Sequence, residues 1–191
     1  MEIYLEETLA YMRLRELNLP SFSKRSTHFT HRRVLVDWTC TAGERFKLSK
    51  STIHLAIVLM DRYLDKNDIT ANVIPYICLV SLTVSAKFDC KETSVPKFSK
   101  LKALLKEHNV MWSPAEFRRF EGVIMKNFNW NIFIPTPTHY VDLLMPEVAS
   151  ASDFIHGCII ATNVYPDVVE RLIEFVQYFL DISMQVLSKY R

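Results

Sequence analysis

His28 and His31, in "HFTH", stand three residues apart, an interval at which two imidazoles on one helical turn can share a metal ion. No third ligand follows at a recognisable metal-binding spacing, so no metal site is expected. Lys87 ends an apolar run in "SAKFDC", where a cation at a helix C-terminus gains ~0.3–1 kcal/mol from the helix dipole. Glu121 lies within the stripe Phe117, Phe120, Ile124, with Arg118 and Lys126 near enough along a helix to pair with it. Arg32 sits beside the apolar face Val34, Leu35, Trp38, Ala42, and Asp61 sits beside Met60 and Leu64. An arginine so placed is tolerated where an acid meets it, and Asp61 is the candidate acid. Asp37, by contrast, reads as a solvated flank charge. No nucleophile–base–acid set stands out, and there is no G-x-G-x-x-G, P-loop or G-x-S-x-G. Independent catalysis and a cofactor are therefore not expected. Cys40, Cys78, Cys90 and Cys158 are widely separated, and three lie in apolar helical patterns. They read as reduced core residues of an intracellular protein.

Positioning these groups falls almost wholly to helices. Leu5, Leu9 and Met12 give a first amphipathic segment over residues 4–17. A second runs from about 29 to 43 and is expected to stop at Gly43, a natural residue to follow a helix. Ser49 or Ser51 can cap a third, whose stripe is Ile53, Ile57, Met60 and Leu64. Residues 73–88 are apolar nearly all round. β-branched residues make them ambiguous between strand and helix, and their length favours a buried helix. A basic amphipathic helix is expected near 96–107. Ser113, Pro114 and Glu116 form a capping box with proline in the first turn, opening a helix that carries Phe117, Phe120, Ile124 and Phe128. Pro135 and Pro137 break the chain, a helix restarts through Leu144, residues 146–163 read as a loop, and Pro166 opens a long helix to about 188.

The fold class is thus all-α. Hydrophobic residues make up 49% and charged residues 23%, as in ordinary globular domains, and the net charge of +2 does not favour nucleic acid. The basic "KFSKLKALLK" reads as a solvated face rather than a phosphate contact. No apolar run reaches the ~18 residues of a membrane span. The N-terminus lacks the layout of a signal peptide.

Four stretches taken in order carry more than any one alone: "HRRVLVDW", "LSKSTIHLAIVLMDRYL", "SAKFDC" and "RFEGVIMKNFNWNIFIPTP". Their order and spacing resemble the cyclin box, over about residues 29–137. The resemblance implies a cyclin fold: an N-terminal helix and linker (1–28), a five-helix box (29–135) and an incomplete second helical repeat (136–191). It implies that Arg32 pairs with Asp61 and pins the first box helix to the second. It implies that Lys87 and Glu121, with Phe88 beside them, hold a cyclin-dependent serine/threonine kinase by hydrogen bonds to its backbone. The chain would then be a regulatory subunit in cell-cycle control, nuclear or cytoplasmic, and not an enzyme. Rival readings are a cyclin-fold nucleic-acid or transcription module and a scaffold that binds without activating.

Many cyclins also dock short basic-hydrophobic motifs of substrates or inhibitors. His31, Leu35 and Trp38 fall at that groove, with His31 where methionine is usual and Thr41 where glutamate is typical. A groove without its acid loses a charge-assisted contact, so docking is expected to be weakened. "KFDC" likewise departs from the more acidic "KFEE". The last helix carries Leu172, Phe175, Val176, Phe179, Leu180, Ile182 and Met184. That face needs cover, so a longer product or a partner is expected.

Overall fold

The computed structural model describes residues 2–19, 22–23, 26–107, 112–148, 154–155, 158–159 and 165–186. Among these residues the helices are α1 (Glu2–Leu17), α2 (Arg32–Arg45), α3 (Lys50–Lys66), α4 (Ile74–Asp89), α5 (Phe98–Glu107), α6 (Pro114–Asn127), α7 (Pro137–Val148) and α8 (Tyr165–Val186). The fold is all-α. Within the segment expected to be loop, Phe154–Ile155 and Cys158–Ile159 pair antiparallel as two-residue strands. A 3₁₀ turn, Thr27–His31, leads into α2.

The apolar stripes dictate the packing. Residues of α3 and α4 are buried almost throughout, and these two helices form the centre. The 73–88 segment is a helix, and the small fully buried side chains Ser81, Ser85 and Ala86 share its circumference with Tyr76, Leu79 and Leu82. A helix apolar all round belongs inside a bundle. Accordingly α2, α3, α5 and α6 all contact α4. No described helix is long and apolar enough to cross a membrane.

Local chemistry sets the helix ends. Ser49 caps α3 by accepting from the Thr52 amide at 3.2 Å. Ser113 and Glu116 complete their capping box reciprocally. The end of α2 differs from expectation. The helix runs through Gly43 to Arg45, and Gly43 is buried against α3. A β-carbon there would stand 2.5 Å from Ile53 Cγ1, so the glycine permits the close approach of two helices rather than ending one. The left-handed residue after the helix is Lys47 (φ 56°), with Leu48 N–H donating to Gly43 O at 3.0 Å. Likewise α7 continues past Leu144, across Pro146, to Val148.

Arg32 joins three helices. It is 4% exposed, and its Nε donates to both Asp61 oxygens at 3.0 and 2.9 Å, with Nη2 at 2.8 Å from Oδ2. Its Nη1 donates to the Met184 carbonyl, which ties α8 to α2. Lys50 and His54 of α3 also reach α8, at 2.7 and 2.8 Å from the two Asp181 oxygens. Burial pushes the Asp181 carboxyl up, but hydrogen bonds from His54 and Lys50 outweigh it and leave the group below its ordinary value. Met184 is buried by this docking, while Leu172, Phe175, Phe179 and Ile182 face outward.

Candidate functional site

The last turn of α4 and the middle of α6 pack side by side, although their residues are more than thirty positions apart in sequence. That packing brings Lys87 to Glu121: Lys87 Nζ donates to both carboxylate oxygens, at 2.7 and 2.8 Å. The partner of Glu121 is therefore Lys87, not its helical neighbours Arg118 or Lys126. The lysine side chain is 52% exposed and the glutamate 12%, so the pair sits at a rim, with the carboxylate sunk between helices.

Beside the pair opens a groove of ≈ 470 Å³, with Val84, Met125 and Ile132 below and Arg118, Phe88 and Trp130 around it. Phe88 is 49% exposed and stacks on Phe133, centroids 5.8 Å apart. Trp130 is 65% exposed. It is held out by two successive left-handed residues, Asn129 (φ 50°) and Trp130 itself (φ 62°), with Trp130 N–H donating to Met125 O at 2.8 Å. Non-glycine residues seldom take that conformation, and here it presents a large aromatic to solvent at the groove's edge. Sequence reasoning does not assign Trp130 or Met125 to this site. Asn129 before Trp130 is the available signal, since asparagine tolerates the left-handed region.

The N-terminal helix braces the same region. Arg15 Nη2 donates to Asn131 Oδ1 at 2.5 Å and to Phe133 O at 2.6 Å, and Tyr11 lies parallel to Phe133. Asp89 turns away from the groove towards the start of α3. It accepts from the hydroxyls of Ser49 (3.2 Å), Ser51 (3.4 Å) and Thr52. A carboxylate at a helix N-terminus is favourable there, so the "KFDC" acid serves the fold.

His31, at the boundary just before α2, is exposed, while Leu35 and Trp38 on α2 are half-buried and pack on the core. Thr41 donates its hydroxyl to the Asp37 carbonyl at 2.8 Å. Asp37 is exposed as expected but is not a lone flank charge: Gln185 of α8 donates to its Oδ1 at 2.7 Å. The thiols of Cys40, Cys78 and Cys90 are free. Burial pushes Cys78 up to about 12 and Cys40 to about 11, which keeps both protonated and unreactive. The Cys158 side chain lies outside the described residues.

Known proteins resemble this chain. The family described as cyclin, N-terminal domain, matches residues 2–133. Cyclin-J of Homo sapiens is 30% identical over 183 residues, which are 93% of this chain and 48% of that protein. Cyclin-J-like protein of Mus musculus is 32% identical over 178 residues, 91% of this chain and 46% of that protein. Cyclin puc1 of Schizosaccharomyces pombe is 29% identical over 160 residues, 80% and 44% respectively. The chain spans about half the length of the curated relatives it matches. The matched region holds the Arg32–Asp61 pair, the Lys87–Glu121 pair and the groove beside it, and the chain belongs to the cyclin family.

Proposed function

We propose that this chain is a regulatory subunit that binds a cyclin-dependent serine/threonine kinase through Lys87, Phe88 and Glu121 and favours its active conformation. Cyclins are regulatory rather than catalytic proteins. The observation that carries the reading is the Lys87–Glu121 pair at the rim of an apolar groove. With Lys87 half exposed, the pair is screened by solvent and contributes ~1 kcal/mol or less to the fold, so the lysine can turn to a partner at little cost while Glu121 keeps its place between the helices. Lys87 would donate to kinase backbone carbonyls and Glu121 would accept from backbone amides, both partly desolvated by the docked surface. Phe88 would supply apolar area to that surface.

Activation follows from differential affinity. A kinase whose mobile helix is swung in and whose activation segment is open would match the groove better than the inactive form. Binding then shifts the population by that difference. A scaffold role would bind both forms alike and shift nothing. Basic-hydrophobic motifs of substrates or inhibitors would meet Leu35 and Trp38 on α2. They would find no carboxylate at Thr41, so that docking is weak. In this reading α7 and α8 belong to a partial C-terminal domain over 136–191, and the subunit works in the nucleus or cytoplasm.

The test is co-purification with a panel of cyclin-dependent kinases, followed by assay of their activity. Lys87→Ala with Glu121→Ala should cut affinity about thirtyfold, the equivalent of ~2 kcal/mol. Unchanged capture would overturn the site. Capture without activation would favour the scaffold.

A further inference from the structure

A second cavity, sharing no lining residue with the Lys87 groove, opens where the end of α2 meets the turn before α5. It measures ≈ 570 Å³, and its polar lining is Arg45, Lys47, Thr93, Ser94, Lys97 and Lys100. Three lysines, Lys47, Lys97 and Lys100, thus come from two separate stretches of chain to one space with two hydroxyls, Arg45 stands beside them with an interaction of its own, and the lining contains no carboxylate. The nearby Glu44 is engaged by Lys50 at 2.9 Å. Like charges gathered around one space repel each other, and an anion placed there relieves the repulsion.

Two further features point the same way. Lys47 occupies the left-handed position that ends α2, where glycine fits without strain, and it lines the cavity. At the other wall, Lys100 and Leu101 N–H donate to Lys97 O, so Lys97 stands at the start of α5. A lysine offers the first amides of a helix no side-chain acceptor, and those amides favour an anion. We infer that this cavity receives a phosphorylated serine or threonine of a partner protein. A phosphoryl group brings close to two negative charges and three strong acceptor oxygens, which suit lysine and arginine donors and flanking hydroxyls. Phe46, Val95 and Pro96 also line the space and give apolar contact to the residues flanking the phosphate.

A nucleic acid fits less well. Lys102 and Lys106 of α5 lie outside the lining, so the cations form a cluster and not a track along a backbone. The inference rests on the regulatory-subunit reading only for the source of phosphorylated partners, which a kinase supplies.

The experiment uses the 191-residue chain without kinase, at 0.15 M salt, with anisotropy as readout. The probes are a labelled degenerate peptide pool centred on phosphoserine, the same pool with serine, and a 20-nucleotide single-stranded DNA. The phosphorylated pool should bind at least tenfold tighter than the unphosphorylated pool, and inorganic phosphate should compete. Lys47→Ala with Lys100→Ala should abolish the preference at an unchanged thermal midpoint, while Lys102→Ala with Lys106→Ala should preserve it. Equal binding of the pools, or a preference that survives the cavity variant, overturns the inference. So does DNA binding tighter than either pool and weakened equally by both lysine pairs. Kinase capture is scored separately with the Lys87 and Glu121 variants, so loss of one result with survival of the other tells the two readings apart.

Discussion

Replacing Arg32 with methionine removes one partner of a buried ion pair and leaves the other in place. Asp61 is 7% exposed and accepts from the Arg32 guanidinium at 2.8–3.0 Å. Its carboxylate would then be buried with only the charge of Arg62 to offset it, which costs ~3–5 kcal/mol. The bond from Arg32 to Met184 O is lost too, so α8 should loosen as well. With a urea slope of about 2 kcal/mol per M, the midpoint should fall by about 1.5–2.5 M. Arg33→Ala, on the exposed side of the same turn, should move it by less than ~0.5 kcal/mol equivalent. The sign of the pH dependence is a further check. Burial pushes the Asp61 carboxyl up, and without Arg32 only the charge of Arg62 opposes that. The folded variant then takes up a proton where the unfolded chain stays ionised, so the deficit should be largest at neutral pH and shrink as pH falls towards about 5. Equal, small losses for Arg32→Met and Arg33→Ala, or a deficit that grows on acidification, would refute the reasoning.

Two glycines should respond oppositely. Gly43→Ala places a β-carbon 2.5 Å from Ile53 Cγ1 and should destabilise by ~1–3 kcal/mol despite alanine's helix propensity. Gly122→Ala meets nothing within 4 Å and should stabilise by ~0.5–1 kcal/mol; thermal unfolding reads both. His139 accepts at Nδ1 from the Thr136 amide at 3.2 Å, and burial holds it below its ordinary value of 6.5. The unfolded chain therefore binds that proton more readily, so stability present above about pH 6.5 is lost as pH falls below it. Denaturant midpoints between about pH 7 and pH 5 should slope less for His139→Gln than for the parent chain.

Features written in adjacent residues were readable. The capping box at Ser113 and Glu116, the cap at Ser49 and the restart at Pro137 each need only a few neighbours to form, and each stands where its residues indicate. The 73–88 helix was readable from length, because a strand seldom runs that far. Gly43 misled because a glycine after a helical stripe has two uses, and only the position of Ile53 on the next helix tells them apart. Lys47 in the left-handed position has no residue-type signal at all, since its reason lies in the turn's closure. The contacts Gln185 to Asp37 and Arg15 to Asn131 join residues 148 and 116 positions apart, beyond the reach of any local pattern. Of the site, Lys87, Phe88 and Glu121 came from motif order. Trp130 did not, because its exposure follows from two strained residues that a composition count cannot reveal.

The most direct test of the central claim measures kinase affinity and fold stability on the same four chains: parent, Lys87→Ala, Glu121→Ala and the double variant. The Lys87–Glu121 pair lies at 2.7–2.8 Å with its lysine at an exposed rim and its carboxylate sunk between helices, so the thermal midpoint of the double variant, which removes both charges together, should match the parent's, while Lys87→Ala alone leaves the carboxylate without its lysine and should be the least stable of the set. Kinase affinity should fall for each single variant and by about thirtyfold for the double, with Lys102→Ala and Lys106→Ala at parental strength. Parental affinity in the double variant, or an affinity loss matched by an equal loss of stability, would contradict the account.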